Sequence, residues 1–381
     1  MAAHRRRIAF VTNRVPAYRL PIFAGLVREF PDAIRIFTTL PPEASGPATC
    51  ASLPITAVRS LNIPTSTMHR ARGVVQEELL QVPVTLVFDL LRFRPDLIVS
   101  GEFGVRSLMA LAAARLCGAR FVLWSEEIEE TAWEKGRART AIRNLLVRNA
   151  SAFLPFGAPA ARYLERWWNV PEHRMYVCAQ AVDNEAWRRK ADAADRPGIR
   201  KRLGVQGRLF LAVGRLVTLK GFDRLLQAWA LLPDALKSLH RLAIIGGGDE
   251  GTALERLASG LGNPGVHFAG EQPPDRVAEY YAAADAFVFP SLVDVWGLVV
   301  NEAMACGLPV LGSRYAGASQ QLIDGTGAGE LIDPMDAGAF SNALARWCTA
   351  DLDEIRRCAR QAVERCNNDV TVESIRRLIA S

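Results

Sequence analysis

The stretch Ser291-Leu-Val-Asp-Val-Trp-Gly-Leu-Val-Val-Asn-Glu-Ala-Met-Ala-Cys-Gly-Leu-Pro-Val310 decides the fold. The apolar run Ala286–Phe289 precedes it, and a second, Pro309–Gly312, closes it. Both read as short buried strands. Between them Asp294 falls in a loop, the peptide N–H groups at Trp296, Gly297 and Leu298 follow it, and an apolar helix comes next. Glu302, eight positions after Asp294, is expected about two turns into that helix. Strand, loop, helix and strand in this order point to a parallel sheet covered by helices on both faces.

The same alternation runs outward in both directions. In the first half Arg7–Thr12, Ala33–Phe37, Asp96–Ser100, Arg120–Trp124, Ala152–Phe156 and Met175–Cys178 read as strands. In the second half Leu209–Val213, Arg241–Ile245, Val266–Phe268, Ala286–Phe289, Pro309–Gly312 and Gly329–Ile332 do. Helical patterns such as Phe222–Leu232, Asp275–Ala284 and Ala337–Thr349 lie between them. Asn184–Gly204, rich in Arg, Lys, Asp and Ala and carrying Pro197–Gly198, reads as a linker with a short helix. The expectation is an α/β protein of two Rossmann-like doubly wound domains, 1–185 and 186–365, facing across a cleft. A C-terminal helix, 366–381, would pack back on the first. Ligands of open parallel sheets bind at the carboxyl ends of strands.

A chain of 381 residues suits two domains of ordinary size. Seven cysteines, an odd number, show no CxxC or metal-ligand spacing, which argues against a disulfide framework and for a reducing compartment. No stretch is long and apolar enough for a transmembrane helix, and the run Ile8–Val11 is too short for a secretory leader. The expected location is the cytoplasm, with peripheral contact at the inner face of the cell membrane as an open variant. Residues 1–190 hold 26 Lys+Arg against 17 Asp+Glu, a balance of +9; residues 191–381 hold 20 against 23, a balance of −3. A basic first half could face anionic lipid, a phosphorylated acceptor or nucleic acid.

Several residues carry chemistry. Leu209–Val213 runs into Gly214-Arg-Leu-Val-Thr-Leu-Lys-Gly221, so Arg215 and Lys220 fall at a strand's carboxyl end, where two cations suit a diphosphate. Glu302 lies among Val299, Val300, Ala303 and Met304, company in which a carboxylate needs a partner. Asp294 could be no more than a helix cap. The peptide N–H groups at Trp296, Gly297 and Leu298 form the positive end of that helix, a place for phosphate. Two carboxylates for hydroxyls, with cations and a helix end for phosphates, are the fittings for a sugar nucleotide. Gly246-Gly-Gly248, with Gly247 at its centre, reads equally as a close approach to a nucleotide or as a tight turn. Tyr18 and Arg19 follow the first strand and could meet an acceptor or a phosphate, or could belong to a helix entry pinned by Pro16 and Pro21. Trp133–Val147, with Lys135, Arg137, Arg139 and Arg143, reads as a surface helix or as a basic amphipathic helix for an anionic bilayer. Asp351 and Asp353 have the spacing of a metal pair but open a helix, so capping is the expected role.

With these motifs the chain resembles the family 4 glycosyltransferases of the GT-B fold, of bacterial polysaccharide type. The likeness is close over Gly214–Gly221, Leu242–Gly248, Ala286–Ser291 and Asp294–Gly307. In the first half it rests on Pro95–Val99 and on Ala9–Asn13 with Tyr18-Arg19. The resemblance implies retaining transfer of a sugar from a nucleotide-diphosphate donor, with no metal or other cofactor. Glu302 would hold the donor ribose and Asp294 the transferred sugar. Arg215 and Lys220 would hold the diphosphate, with Gly297, Leu298 and Gly247 lining the same donor site. The acceptor, a saccharide or lipid-linked saccharide of cell-surface polysaccharide synthesis, would sit on the basic first half.

Two positions depart from the family pattern. Asp294 replaces the usual Glu, one methylene shorter. Glu126, in Trp124-Ser-Glu-Glu-Ile-Glu-Glu130, stands where the family often has a His near the reacting carbon, and is the candidate for orienting the acceptor. The competing readings are a nucleotide-sugar epimerase on the same fold and a basic nucleic-acid-binding protein. The second is disfavoured, because the positive charge is confined to one half and no recognition motif is present.

Overall fold

The structure, a computed structural model, describes residues 6–40, 53–69, 74–132, 137–263 and 265–381. Arg5, Cys50, Trp133 and Lys135 lie outside the described residues. The chain forms two compact units, one of residues 1–180 and 368–381, the other of residues 181–367.

In the first unit six strands make one sheet in the order β3-β2-β1-β6-β7-β8. They are β1 (Ile8–Thr12), β2 (Ile34–Thr38), β3 (Ile55–Ala57), β6 (Leu97–Gly101), β7 (Arg120–Ser125) and β8 (Ala152–Pro155). All pairings are parallel, with Ile8 opposite Ile34 on one side and Leu97 on the other. β1 and β6 are buried at every position, which is why they read as unbroken apolar runs. Between β3 and β6 an antiparallel ribbon pairs β4 (Leu61–His69) with β5 (Val74–Val82), Leu61 opposite Val82. Sequence periodicity does not disclose this ribbon, because Pro64 and several polar residues interrupt its pattern.

The expected strand Met175–Cys178 is corrected. It makes only two isolated bridges, Phe153 with Met175 and Phe156 with Cys178. β8 is only four residues long and its last, Pro155, has no N–H to donate, so a ladder cannot propagate there. The helix Asn368–Ala380 returns to this unit. Ile375, Leu378 and Ile379 share a core with Ile8, Phe10 and Phe23, and Thr371 Oγ1 donates to Ala179 O over 2.6 Å.

The second unit repeats the topology. β9 (Leu209–Val213), β10 (Arg241–Ile245), β11 (Val266–Gly270), β12 (Ala286–Phe289), β13 (Val310–Ser313) and β14 (Gly329–Ile332) run parallel in the order β11-β10-β9-β12-β13-β14. Relative to chain order both sheets are 3-2-1-4-5-6, the Rossmann arrangement. Asn184–Gly204 is corrected from linker to structure. It forms two helices, Asn184–Asp192 and Arg196–Arg202, with Asp183 and Asp195 as side-chain caps at 2.8 and 3.0 Å.

Candidate functional site

The strand order reverses between β9 and β12, so the loops that follow them diverge and leave a crevice at the carboxyl ends of the strands. The loop after β9 carries Arg215 and Lys220; the loop after β12 carries Asp294 and leads into the helix Leu298–Ala305 with Glu302. The residues singled out in the second half of the sequence therefore converge on one switch point.

The glycines explain how the loops lie so close. Gly246 has φ +148°, and a Cβ there would stand 1.8 Å from the carbonyl oxygen of Gly214; at Gly248, φ +151°, it would stand 2.4 Å from that of Leu216. Backbone bonds fill the space: Leu216 N donates to Gly247 O (2.8 Å) and Glu250 N to Leu216 O (3.0 Å). Gly246 and Gly248 thus let one loop rest on another. Gly247 is half-buried, with its Cβ position 3.1 Å from the Glu271 carboxylate. The far end of the β9 loop is pinned by Leu292 N donating to Leu219 O (2.8 Å), which Gly221 permits because a Cβ there would meet Pro290 O at 2.2 Å.

This docking brings Lys220 Nζ into an ion pair with Asp294 Oδ2, the lysine 5.7 Å above the Phe289 ring. Asp294 Oδ1 accepts the Trp296 N–H at 3.2 Å. Gly317 N donates to Asp294 O (3.3 Å) and Ala318 N to Trp296 O (2.9 Å), fixing the loop from behind. At Gly297 the backbone turns with φ +99°, and a Cβ would collide with the Phe289 ring at 2.6 Å. The helix then begins at Leu298, so Glu302 lies about one turn inside it, not two. Arg215 is exposed on the loop after β9.

Glu302 has the partner that its apolar setting demanded. Tyr281 OH donates to its Oε2 over 3.1 Å. Burial pushes the carboxyl up from 4.5 to about 7, against the downward pull of the Tyr281 hydrogen bond and the Lys190 charge. Asp351 accepts the Asp353 N–H at 3.0 Å, the local capping geometry.

In the first unit, Arg19 and Glu126, separated by 107 positions, form a part-buried ion pair at the carboxyl end of the sheet. Arg19 closes a 3-10 turn, Ala17–Arg19, that enters the helix Leu20–Glu29 with Pro21 in its first turn. Sequence reasoning flagged each residue without linking them, since nothing local couples positions so far apart. Nearby, Glu102 takes φ +70° directly after β6, a left-handed conformation that a non-glycine residue holds only at a cost of about 1 kcal/mol. No sequence signal marks it. The basic helix is described over Arg137–Asn149, and here the amphipathic reading is corrected at Arg143. That side chain is only 7% exposed and donates to Glu127 Oε1 (2.7 Å) and Tyr163 OH (2.9 Å) instead of facing outward.

Residues 195–365 match the family described as glycosyl transferases, group 1. The chain is 34% identical, over 56% of its length, to the D-inositol 3-phosphate glycosyltransferase of Acidothermus cellulolyticus, covering 50% of that protein. It is 31% identical, over 64% of its length, to the GDP-mannose-dependent alpha-(1-6)-phosphatidylinositol monomannoside mannosyltransferase of Mycolicibacterium smegmatis, covering 65% of it. It therefore spans between half and two thirds of these curated relatives. Among solved structures, Anabaena Alr3699/HepE in complex with UDP superposes with a TM-score of 0.74 at 18% identity, over 98% of this chain and 99% of that one. WaaG, a glycosyltransferase involved in lipopolysaccharide biosynthesis, gives 0.68 at 20% identity over 98% and 99%. At these identities the likeness establishes the fold: two parallel-sheet domains of GT-B type. Among the described residues no helix is long and apolar enough to cross a membrane.

Proposed function

We propose that this protein is a retaining glycosyltransferase that moves a sugar from a nucleotide-diphosphate donor on the second unit to a saccharide or lipid-linked saccharide acceptor on the first. One observation carries the reading: Arg215, Lys220, Asp294, the Gly297 helix end and Glu302 gather at the switch point of one sheet. Glu302 grips the two ribose hydroxyls. Lys220, Arg215 and the N–H groups at Gly297 and Leu298 face the diphosphate and stabilise the charge that grows as it leaves. Lys220 and Asp294 form an ion pair. The donor separates them, its phosphates taking the lysine and a sugar hydroxyl taking the carboxylate. No protein nucleophile is called on, and the departing phosphate accepts the acceptor's proton. Family 4 membership and retention rest on the motif resemblance.

The donor class is supported by the UDP bound in a protein of the same fold and by a relative named for GDP-mannose. The basic first half, with exposed Arg137, Arg139 and Arg148, suits a phosphorylated or lipid-linked acceptor at an anionic membrane face. Thermal unfolding with a panel of nucleotide sugars, UDP-glucose and GDP-mannose among them, tests the proposal. One donor at saturating concentration raises the melting temperature and releases its nucleoside diphosphate when a saccharide acceptor is added. No stabilisation by any nucleotide sugar defeats the reading, and donor converted to an epimer without acceptor replaces it with the isomerase alternative.

A further inference from the structure

At the carboxyl end of the first sheet, Arg19 is 6% exposed although it is always charged. Its guanidinium lies 4.5 Å from the centre of the Trp124 ring, 5.3 Å from that of Tyr18 and 5.8 Å from that of Phe156. Trp124 and Phe156 are themselves stacked, 4.6 Å apart with 14° between their planes. The aromatic faces replace water around the cation, and its Nε is buried with no hydrogen-bond partner. Nη2 is directed to Glu126 Oε1. The Trp124 indole N–H donates to that same Oε1 over 3.0 Å. Both donors therefore occupy one oxygen, while the Glu126 side chain remains 25% exposed and its Oε2 takes no hydrogen bond among the described residues.

A free surface carboxylate rotates and presents either oxygen. This one is held from two directions by groups anchored in the fold, since Trp124 is a buried β7 residue and Arg19 sits in a turn ahead of a helix with Pro21 in its first turn. We infer that Arg19 and Trp124 are positioning residues that hold Glu126 so that Oε2 accepts a hydrogen bond from a sugar hydroxyl. The ligand chemistry is a saccharide hydroxyl of the acceptor. This rests on the glycosyl-transfer reading. It assigns Arg19 to the carboxylate and not to a phosphate, because its charge is already neutralised inside the protein.

The test uses full-length protein carrying Glu126→Gln, Arg19→Met, Arg19→Lys or the Glu126→Gln/Arg19→Met pair. Nucleoside diphosphate release from UDP-glucose or GDP-mannose is followed with and without a saccharide acceptor, alongside affinity for UDP or GDP alone. Each of Glu126→Gln and Arg19→Met is expected to lower kcat by about tenfold or more, the pair to lose no more than the worse single, and Arg19→Lys to recover part of the rate. UDP or GDP affinity stays within about twofold of wild type, since neither carries the saccharide hydroxyl that Glu126 is to hold. The loss is expected to be confined to acceptor-dependent release; equal loss of acceptor-free hydrolysis overturns the acceptor assignment. Losses that multiply in the pair, an Arg19→Met enzyme at wild-type rate, or weakened UDP or GDP binding by Arg19→Met each overturn the positioning role while leaving glycosyl transfer standing. A wild-type protein that releases no nucleoside diphosphate under any condition removes both.

Discussion

The two ends of the second sheet each hold a carboxylate set back from solvent, and the two are treated in opposite ways. At the amino end Asp285 sits between β9 and β12 with its oxygens accepting from Arg200 (2.7 Å), Arg196 (3.0 Å), Arg356 (3.3 Å) and the Leu209 N–H (2.9 Å). Burial alone would raise its pKa, but the Arg200 hydrogen bond, the Leu209 N–H and the surrounding arginine charges outweigh it and hold the carboxyl below the usual value. At the carboxyl end Glu302 has one phenol and a more distant lysine, and burial wins. The first acid has its hydrogen bonds supplied from within and ties two helices to the sheet. The second is left short of donors where a diol could supply them. An undersupplied acid weakens the folded state.

The strongest way to break this comparison is to remove charge at the carboxyl end. Lys220→Ala and Glu302→Ala should each cut turnover by about 10²–10³. Near wild-type sugar transfer by purified Lys220→Ala would falsify its role at the diphosphate. At the amino end the effect should fall on stability. Asp285→Ala strands three arginines and is expected to destabilise the second unit by about 3 kcal/mol, read by urea unfolding, while affinity for the donor stays unchanged in the protein that remains folded. A matching loss of affinity would merge the two ends.

The third test turns on pH. Binding a ribose diol favours the ionised Glu302, so donor affinity should rise by about tenfold between pH 6 and pH 8, following ionisation of a group near 7. A nucleotide sugar is the right ligand, because its diester diphosphate does not titrate there. Glu302→Gln should flatten this profile. The stability sign is also set. With the pKa raised from 4.5 to about 7 in the folded protein, wild-type stability falls as pH climbs through that interval. Glu302→Gln should therefore melt higher than wild type by roughly 4 °C at pH 8 and by less at pH 5. An equal shift at both values would mean that ionisation is not the cause. The smallest effect is expected at Asp351, where Asp351→Ala loses one local cap and should change unfolding free energy by less than about 1 kcal/mol and activity not at all.

Much of this was legible in the sequence, for a physical reason. Strands buried on both faces, such as Leu209–Val213 and Ala286–Phe289, need apolar side chains at every position and so announce themselves as runs. Chemistry-bearing residues on loops directly after such strands can be placed at the carboxyl end without knowing any distance. Lys220, Asp294 and Glu302 are placed there by that rule alone. The weak positions were those where neighbours and not pattern decide. Met175–Cys178 has strand composition but lies beside Pro155, which cannot donate to it. Arg143 fits a surface stripe by spacing, yet Glu127 and Tyr163 draw it inward.

What the sequence determined by itself is the alternation of elements, the parallel sheets and the residue types gathered at one switch point, because these follow from short-range periodicity. Tertiary structure alone decided which charges meet. Lys220 finds Asp294, Arg19 finds Glu126 and Asp285 collects three arginines across separations of 71 to 107 positions. Whether a buried acid is supplied with donors, as Asp285 is, or left open to a ligand, as Glu302 is, depends on those encounters. Electrostatic energy depends on distance in space, and distance along the chain does not fix it.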